Sequence, residues 1–389
     1  MPTKGQWRDG FDLADFNDDG ILDLAHGPAR KGRAEPAIWL GTGTGQFRLW
    51  SDTHFPPLPY DYGDLIIGDV NADGLPDLAL GSHLRGLTVL INETRGHFAP
   101  WAEGLDFALP SDNPQEPIFA SRALAFADWN RDGRLDLIAQ NEGRTLFGGD
   151  RLEPDALRVY LNRNRSWQLL GRETTAQGFG DALAVADLDG DGQPEALTGS
   201  RDVGAQRLLH YGFGGTPQSV TLPGLPSRAV VTAVQIDAAT AGKPGKLWFG
   251  STSTNPEPVC TELFQMDWTA GGATTPRRVA AHTSRDAWRK ILRHDLNEDG
   301  QTDLMAITET GMVEIHLANA KGLRFDSSWP ASISAGCQTF DAALADLDGK
   351  PGLELLVSYA GEDDPTVQSA CPGQGGFAGF HVTPRKSRR

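Results

Sequence analysis

One nine-residue segment, rich in side-chain oxygens, recurs along this sequence. Its clearest copies begin at Asp15 (DFNDDGILD), Asp69 (DVNADGLPD), Asp128 (DWNRDGRLD), Asp187 (DLDGDGQPE) and Asp295 (DLNEDGQTD), and each reads D-x-[ND]-x-D-G-x-x-[DE]. Oxygen ligands at alternate positions, followed by a glycine that permits a sharp turn, suit a hard cation. Calcium takes about six to eight oxygens at roughly 2.3–2.6 Å. In the first segment Asp15, Asn17 and Asp19 point inward, Ile21 offers its carbonyl and Asp23 closes the site. The same roles fall to Asp69, Asn71, Asp73, Leu75 and Asp77, and to Asp128, Asn130, Asp132, Arg134 and Asp136. They fall again to Asp187, Asp189, Asp191, Gln193 and Glu195, and to Asp295, Asn297, Asp299, Gln301 and Asp303. No soft ligand stands at these positions, which argues against zinc and copper. An EF-hand is excluded too, because its closing Glu comes at the twelfth position between two helices.

Two degenerate copies fill the gaps, one at Asp237 and one at Asp346, so that seven starting acids lie 50 to 59 residues apart. Only one acid remains in the copy at Asp237, and Lys350 replaces the third ligand in the copy at Asp346. Both loops are expected to be free of metal, with the Lys350 ammonium paired to Asp346, Asp348 and Glu354. The ligand positions of the other five carry 16 carboxylates, which equals the whole net charge of −16. Five calcium ions would bring that charge to −6. The acidity is therefore concentrated in the loops rather than spread over the surface, and it disfavours nucleic acid and anionic membranes as partners.

The elements that position these loops repeat with them. A short apolar segment precedes each loop, such as Leu65-Ile66-Ile67 or Leu124-Ala125-Phe126. A second follows it, as in Leu78-Ala79-Leu80, and a third follows that, as in Leu87-Thr88-Val89-Leu90-Ile91. A Gly- or Asn-containing turn leads to a more polar fourth. Four short strands per repeat of ~50 residues describe a propeller blade. The fold expected is all-β, a seven-bladed β-propeller of four-stranded antiparallel blades with calcium loops between first and second strands. It is read as one domain over residues 1–389. The two termini are expected to meet in one blade. No run of 18 apolar residues occurs, so no membrane insertion is expected.

These repeats resemble FG-GAP or VCBS repeats, found in integrin α-subunit propellers and many bacterial secreted proteins. The resemblance covers the whole chain and bears on fold and calcium, not on a particular ligand. In such propellers the face opposite the metal loops gathers long, varied connections, where function usually sits. Candidates are the segments 26–36, 105–121, 141–155, 251–261 and 360–376. Cys260, Cys337 and Cys371 map to that face, and the alternatives are a Cys337–Cys371 bridge or reduced thiols. The starts of the first strands ring the central channel with Trp7, Arg8, Tyr62, Arg122, Asp181, Trp288, Arg289 and Asp341, and His26 and His83 follow second strands nearby. This mixture suits a polar ligand, or else holds itself together in salt bridges.

No nucleophile elbow, zinc-protease helix motif or P-loop occurs. The expectation is a recognition module for a glycan or protein partner, as a monomer or as a subunit of a larger assembly. The alternative is a polysaccharide lyase or hydrolase. A deep pocket at the channel mouth with converging His, Tyr and Arg would mark the enzyme, and a flat face with exposed Trp or Tyr the binding module. Residues 1–4 begin no signal peptide. Calcium sites of this kind fill more readily outside the cell, so the protein is expected to be extracellular or periplasmic with its signal sequence removed.

Overall fold

A computed structural model describes residues 10–382 except 31–32, 84, 108–118, 144–154, 171–177, 201–207, 214–217, 221, 224, 226–227, 254–258, 270–271, 327–328, 330–336 and 361–374. Seven antiparallel sheets follow one another along the chain, numbered here as blades 1 to 7. Their first strands are Phe11–Ala14, Gly63–Gly68, Ser121–Ala127, Leu183–Ala186, Val230–Asp237, Trp288–His294 and Gln338–Ala345. These stand innermost, around a channel lined by residues of all seven blades. Among the described residues there is no helix. The all-β propeller of seven blades is therefore as the repeats require.

Each blade is packed between two others, so its second strand is buried on both faces. The second strands Asp77–Ser82 and Asp136–Asn141 are buried at every position. Leu24, Leu78, Leu137, Leu247, Leu304 and Leu355 occupy the same place in six of the blades and are 0 % exposed. Burying each contributes roughly 1.5–3 kcal/mol. The apolar clusters lie between blades: Phe16, Ile38 and Leu40 of blade 1 pack with Leu65, Leu78 and Phe98 of blade 2. The ring closes in the same way, since Phe11 and Leu24 of blade 1 share a cluster with Leu347, Leu356 and Phe377 of blade 7. Phe11 meets Phe377 edge to face at 5.1 Å.

Two blades depart from the simple pattern. The outer strand of blade 5 comes in two pieces, Gly272–Ala273 and Arg277–His282, both paired with Cys260–Thr269. Three strands of blade 7 are described. Residues 1–9, expected to help close a blade and including Trp7 and Arg8, lie outside the described residues.

Register corrects the reading of Asp237. In six blades the residue before the loop pairs with the ninth loop residue: Ala14 with Asp23, Gly68 with Asp77, Ala127 with Asp136, Ala186 with Glu195, His294 with Asp303 and Ala345 with Glu354. In blade 5 the corresponding pair is Asp237 with Lys246. Asp237 thus stands one residue before its loop, and a lysine holds the place of the closing acid. The Asp237 carboxylate instead receives Trp248 Nε1 at 3.0 Å and the guanidinium of Arg293 from blade 6 at 3.1 Å. That guanidinium also lies 4.3 Å from the Trp248 ring centre. Arg293→Ala should therefore destabilise the protein by about 2 kcal/mol through the lost charged hydrogen bonds and ring contact. Thermal unfolding should show most of that loss with calcium and with chelator alike, because the Asp237 and Trp248 contacts lie outside the metal loops and Arg293 meets the neighbouring loop only at the Asp303 carbonyl.

Candidate functional site

The acidic loops share one backbone shape. In the first, Asp15 accepts hydrogen bonds from the amides of Asp19 (3.1 Å) and Gly20 (2.7 Å), Asn17 accepts one from Asp19 (3.0 Å), and Asp19 accepts one from Ile21 (2.9 Å). The same contacts recur in the loops at Asp69, Asp128 and Asp295. Residues four and six take left-handed conformations. Asp18, Ala72, Arg131 and Glu298 have φ of 59–61°, and the glycines that follow two positions on have φ of 81–86°. A glycine is needed at the sixth position for that reason.

The ninth residue behaves differently from the other ligands. Asp23, Asp77, Asp136 and Asp303 are 0 % exposed. Each accepts two backbone N–H bonds, one from the second loop residue and one from the third strand or the turn after it. For Asp77 the donors are Val70 at 2.9 Å and Asn92 at 2.8 Å. These four aspartates brace the loop against the sheet. Burial, helped by the loop carboxylates, raises the Asp23 and Asp77 carboxyls to about 6 and that of Glu195 to about 7. Asp136 and Asp303 shift the same way.

The residues fit a calcium ion. Every donor is oxygen, and a carboxylate that accepts two amides keeps further lone pairs. In the loop at Asp187, oxygens of Asp187, Asp189 and Glu195 lie within 4.8 Å of one another. Two oxygens bound to one calcium at roughly 2.3–2.6 Å can be no more than about 5 Å apart. Glutamate reaches where aspartate cannot, having one more methylene. The loop at Asp346 gathers Asp346, Asp348 and Glu354 equally closely. There Lys350 pairs with Asp348 at 2.6 Å, while Glu354 receives the Leu347 amide and lies 2.6 Å from His381 Nδ1. The ammonium is thus paired with one of the three acids expected. In the loop at Asp128, the side chain of Arg134 lies against Asp132 at 2.5 Å, beside the carbonyl expected to bind metal.

On the opposite face, three expected ligand residues converge. Tyr62 stacks on His83 with ring centres 4.7 Å apart. His83 Nδ1 lies 2.5 Å from one oxygen of Glu142, and Arg122 Nε lies 2.5 Å from the other. Glu142 was not singled out in the sequence. Its signal is positional: it follows the second strand of blade 3 as His83 follows that of blade 2. At the channel mouth Arg289 donates to the Phe340 carbonyl and to Asp181, both at 2.7 Å, and so ties blades 4, 6 and 7 across the axis. Lys290 pairs with Asp341 at 2.5 Å. The channel cavity beneath holds about 280 Å³ and includes Asp12, which burial holds above the usual carboxylate range.

Two expected ligand residues are turned inward. Trp288 is 0 % exposed and packs between blades 5 and 6. His26 is 2 % exposed, with Nδ1 against the Gly27 carbonyl at 2.7 Å and Nε2 accepting from Trp39 at 3.0 Å. Burial lowers its pKa to about 4, so it is a neutral core histidine. Gly250 leaves room for Trp288, since a Cβ there would stand 2.5 Å from the Trp288 Cβ, and alternation alone does not reveal it. Cys337 is disulfide-bonded and Cys260 is a free thiol, while Cys371 lies outside the described residues.

The comparisons agree with this architecture. A family model described as FG-GAP-like repeat matches residues 15–80 and 69–139. No curated protein matches the sequence. A chain in the crystal structure of BBS1N in complex with ARL6DN, soaked with lead, is similar at 13% identity and a TM-score of 0.53, covering 99% of both chains. The mercury-soaked form matches at 12% identity and 0.52, covering 99% of this chain and 94% of that one. At such identities the likeness is one of fold. The chain is a seven-bladed β-propeller that carries FG-GAP-like repeats, a fold that suits a recognition or binding module.

Proposed function

We propose that this propeller is a calcium-stiffened extracellular recognition module that takes a glycan or protein partner on the face opposite the metal loops. The observation that carries this reading is the meeting of Tyr62, His83 and Arg122 around Glu142. Three separate segments supply one aromatic ring, one imidazole and one guanidinium, which together can stack on and hydrogen-bond a polar ligand. The disulfide at Cys337 supports an oxidising compartment. Calcium would be held by the five loops and would fix the blades without touching the ligand on that face.

A carbohydrate-active enzyme is the second reading, favoured by the same Tyr–His–Arg convergence. His83 and Tyr62 would serve as proton-transfer groups and Arg122 as the carboxylate anchor of a uronate. The binding reading is preferred because the channel-mouth cavity is lined by Arg122 but by neither Tyr62 nor His83. The test is a glycan array probed with calcium-loaded protein and with Arg122→Ala. Binding should fall at least tenfold in the variant, and equal binding by both would overturn the reading. Growth of ultraviolet absorbance on incubation with uronate polysaccharides would report β-elimination and select the enzyme instead.

A further inference from the structure

A larger cavity opens elsewhere. It holds about 730 Å³ and lies on the metal-loop side, between blades 2 and 3. Its walls include Asn71 and Asp73 of the second acidic loop, Glu93, Trp101, Glu103 and Arg165. The volume falls within the range of small-molecule sites, roughly 300–1,000 Å³.

The cavity lies at a junction bridged by Asn162 of blade 3, whose Nδ2 donates to the Val70 carbonyl of the second loop at 2.8 Å. Between blades 1 and 2, the turn after the third strand of blade 2 carries Arg95, which closes onto Asp18 of the first loop at 2.6 Å. Between blades 3 and 4, Arg131 reaches the fourth loop, contacting Asp191 at 3.1 Å and the Gly192 carbonyl at 3.0 Å. Between blades 2 and 3 the equivalent turn is closed by the Arg163 amide on the Ser166 carbonyl at 2.8 Å and carries Arg165 to the rim of the cavity. The back wall is fixed by hydrogen bonds from Trp167, whose amide donates to Glu103 (2.8 Å) and whose indole donates to Trp101 (2.7 Å). Gly104 allows that approach, since a Cβ there would stand 2.0 Å from the Trp167 carbonyl oxygen.

Arg165 is held at a cost. Asn164 and Arg165 have φ of 55° and 90°, the two left-handed positions of a tight hairpin turn. Glycine is strongly preferred at the second, and a non-glycine residue in such a region is strained. An arginine kept there, on the rim of a cavity, points to a use for its side chain.

We infer that this cavity is a binding site for a neutral saccharide, with the Trp101 ring as its apolar wall. Charge selects the ligand class. The lining mixes both signs: Glu93 and Glu103 stand beside Arg165, while the calcium of the second loop is answered by that loop's own Asp69, Asp73 and Asp77. An anion would meet Glu93 and Glu103, and a cation would meet Arg165 and the metal. Hydroxyl groups can donate to the carboxylates and accept from Arg165 and Asn71. The inference rests on the calcium reading of that loop but not on the opposite face.

Calcium binding is followed by calorimetric titration, and saccharide binding by saturation-transfer NMR with glucose, galactose, mannose and N-acetylglucosamine. At least one sugar should bind the calcium-loaded protein and weaken at least tenfold in Trp101→Ala and in Arg165→Gly. Arg165→Gly should melt at the same or a higher temperature than the parent, since it relieves the strain, so its loss of binding is not a loss of fold. Calcium uptake with no sugar bound, or sugar binding unaffected by both variants, overturns the inference alone. Failure of calcium to bind overturns the calcium reading and this inference with it.

Discussion

Chelating divalent cations should lower the melting temperature further than any single substitution. Each loop brings three or four carboxylates toward one point, and without a cation they repel one another. A site saturated a hundredfold above its dissociation constant adds about 2.7 kcal/mol to stability, so five sites add on the order of 10 kcal/mol. Calorimetric melts in millimolar calcium and in chelator measure it. Asp73→Ala and Asp132→Ala should each remove a share of the calcium-dependent rise. A melting temperature indifferent to calcium would reduce these loops to ordinary turns.

The same loops give a pH signature with a definite sign. Asp23 and Asp77 have folded-state pKa values of about 6 and Glu195 of about 7, all above their ordinary values. A carboxyl whose folded pKa is raised binds its proton more readily folded than unfolded. It therefore costs stability at neutral pH and returns it as pH falls through the folded pKa toward the unfolded one. The chelated protein should melt higher near pH 5 than near pH 7. The calcium-loaded protein should do the reverse, because protons displace the ion. Parallel pH profiles with and without calcium would contradict this.

The largest effect of one substitution is expected at Asp77. Its side chain is 0 % exposed and accepts the amides of Val70 and Asn92. Removing the carboxylate orphans two buried donors, each costing about 1–3 kcal/mol. Asp77→Ala should therefore lose about 2–5 kcal/mol, and part of the loss should persist in chelator. Asp73→Ala is the control, because Asp73 is exposed and its partners lie in the loop and reach water. Chemical unfolding of both variants in chelator separates them. Equal losses there would mean that the ninth residue acts only through metal.

The repeat itself was legible because its signal is local. Nine consecutive residues carry the oxygens, the glycine and the closing acid, and the apolar segments beside them set the strands. Blade number and the shape of the acidic loops follow from that alone. Register was not legible in the copy at Asp237, since one aspartate without its companions cannot fix an alignment, whereas its pairing with Lys246 does. The double duty of the ninth acid was hidden as well, because its second amide comes from another strand. Trp288 and His26 carry the residue types of a binding face, yet interblade packing buries them. The sequence determined the blades and their loops, because both are set by neighbours along the chain. Only the closed ring decided which loops meet: it set His83 of blade 2 on Glu142 of blade 3, because that contact joins residues from different blades.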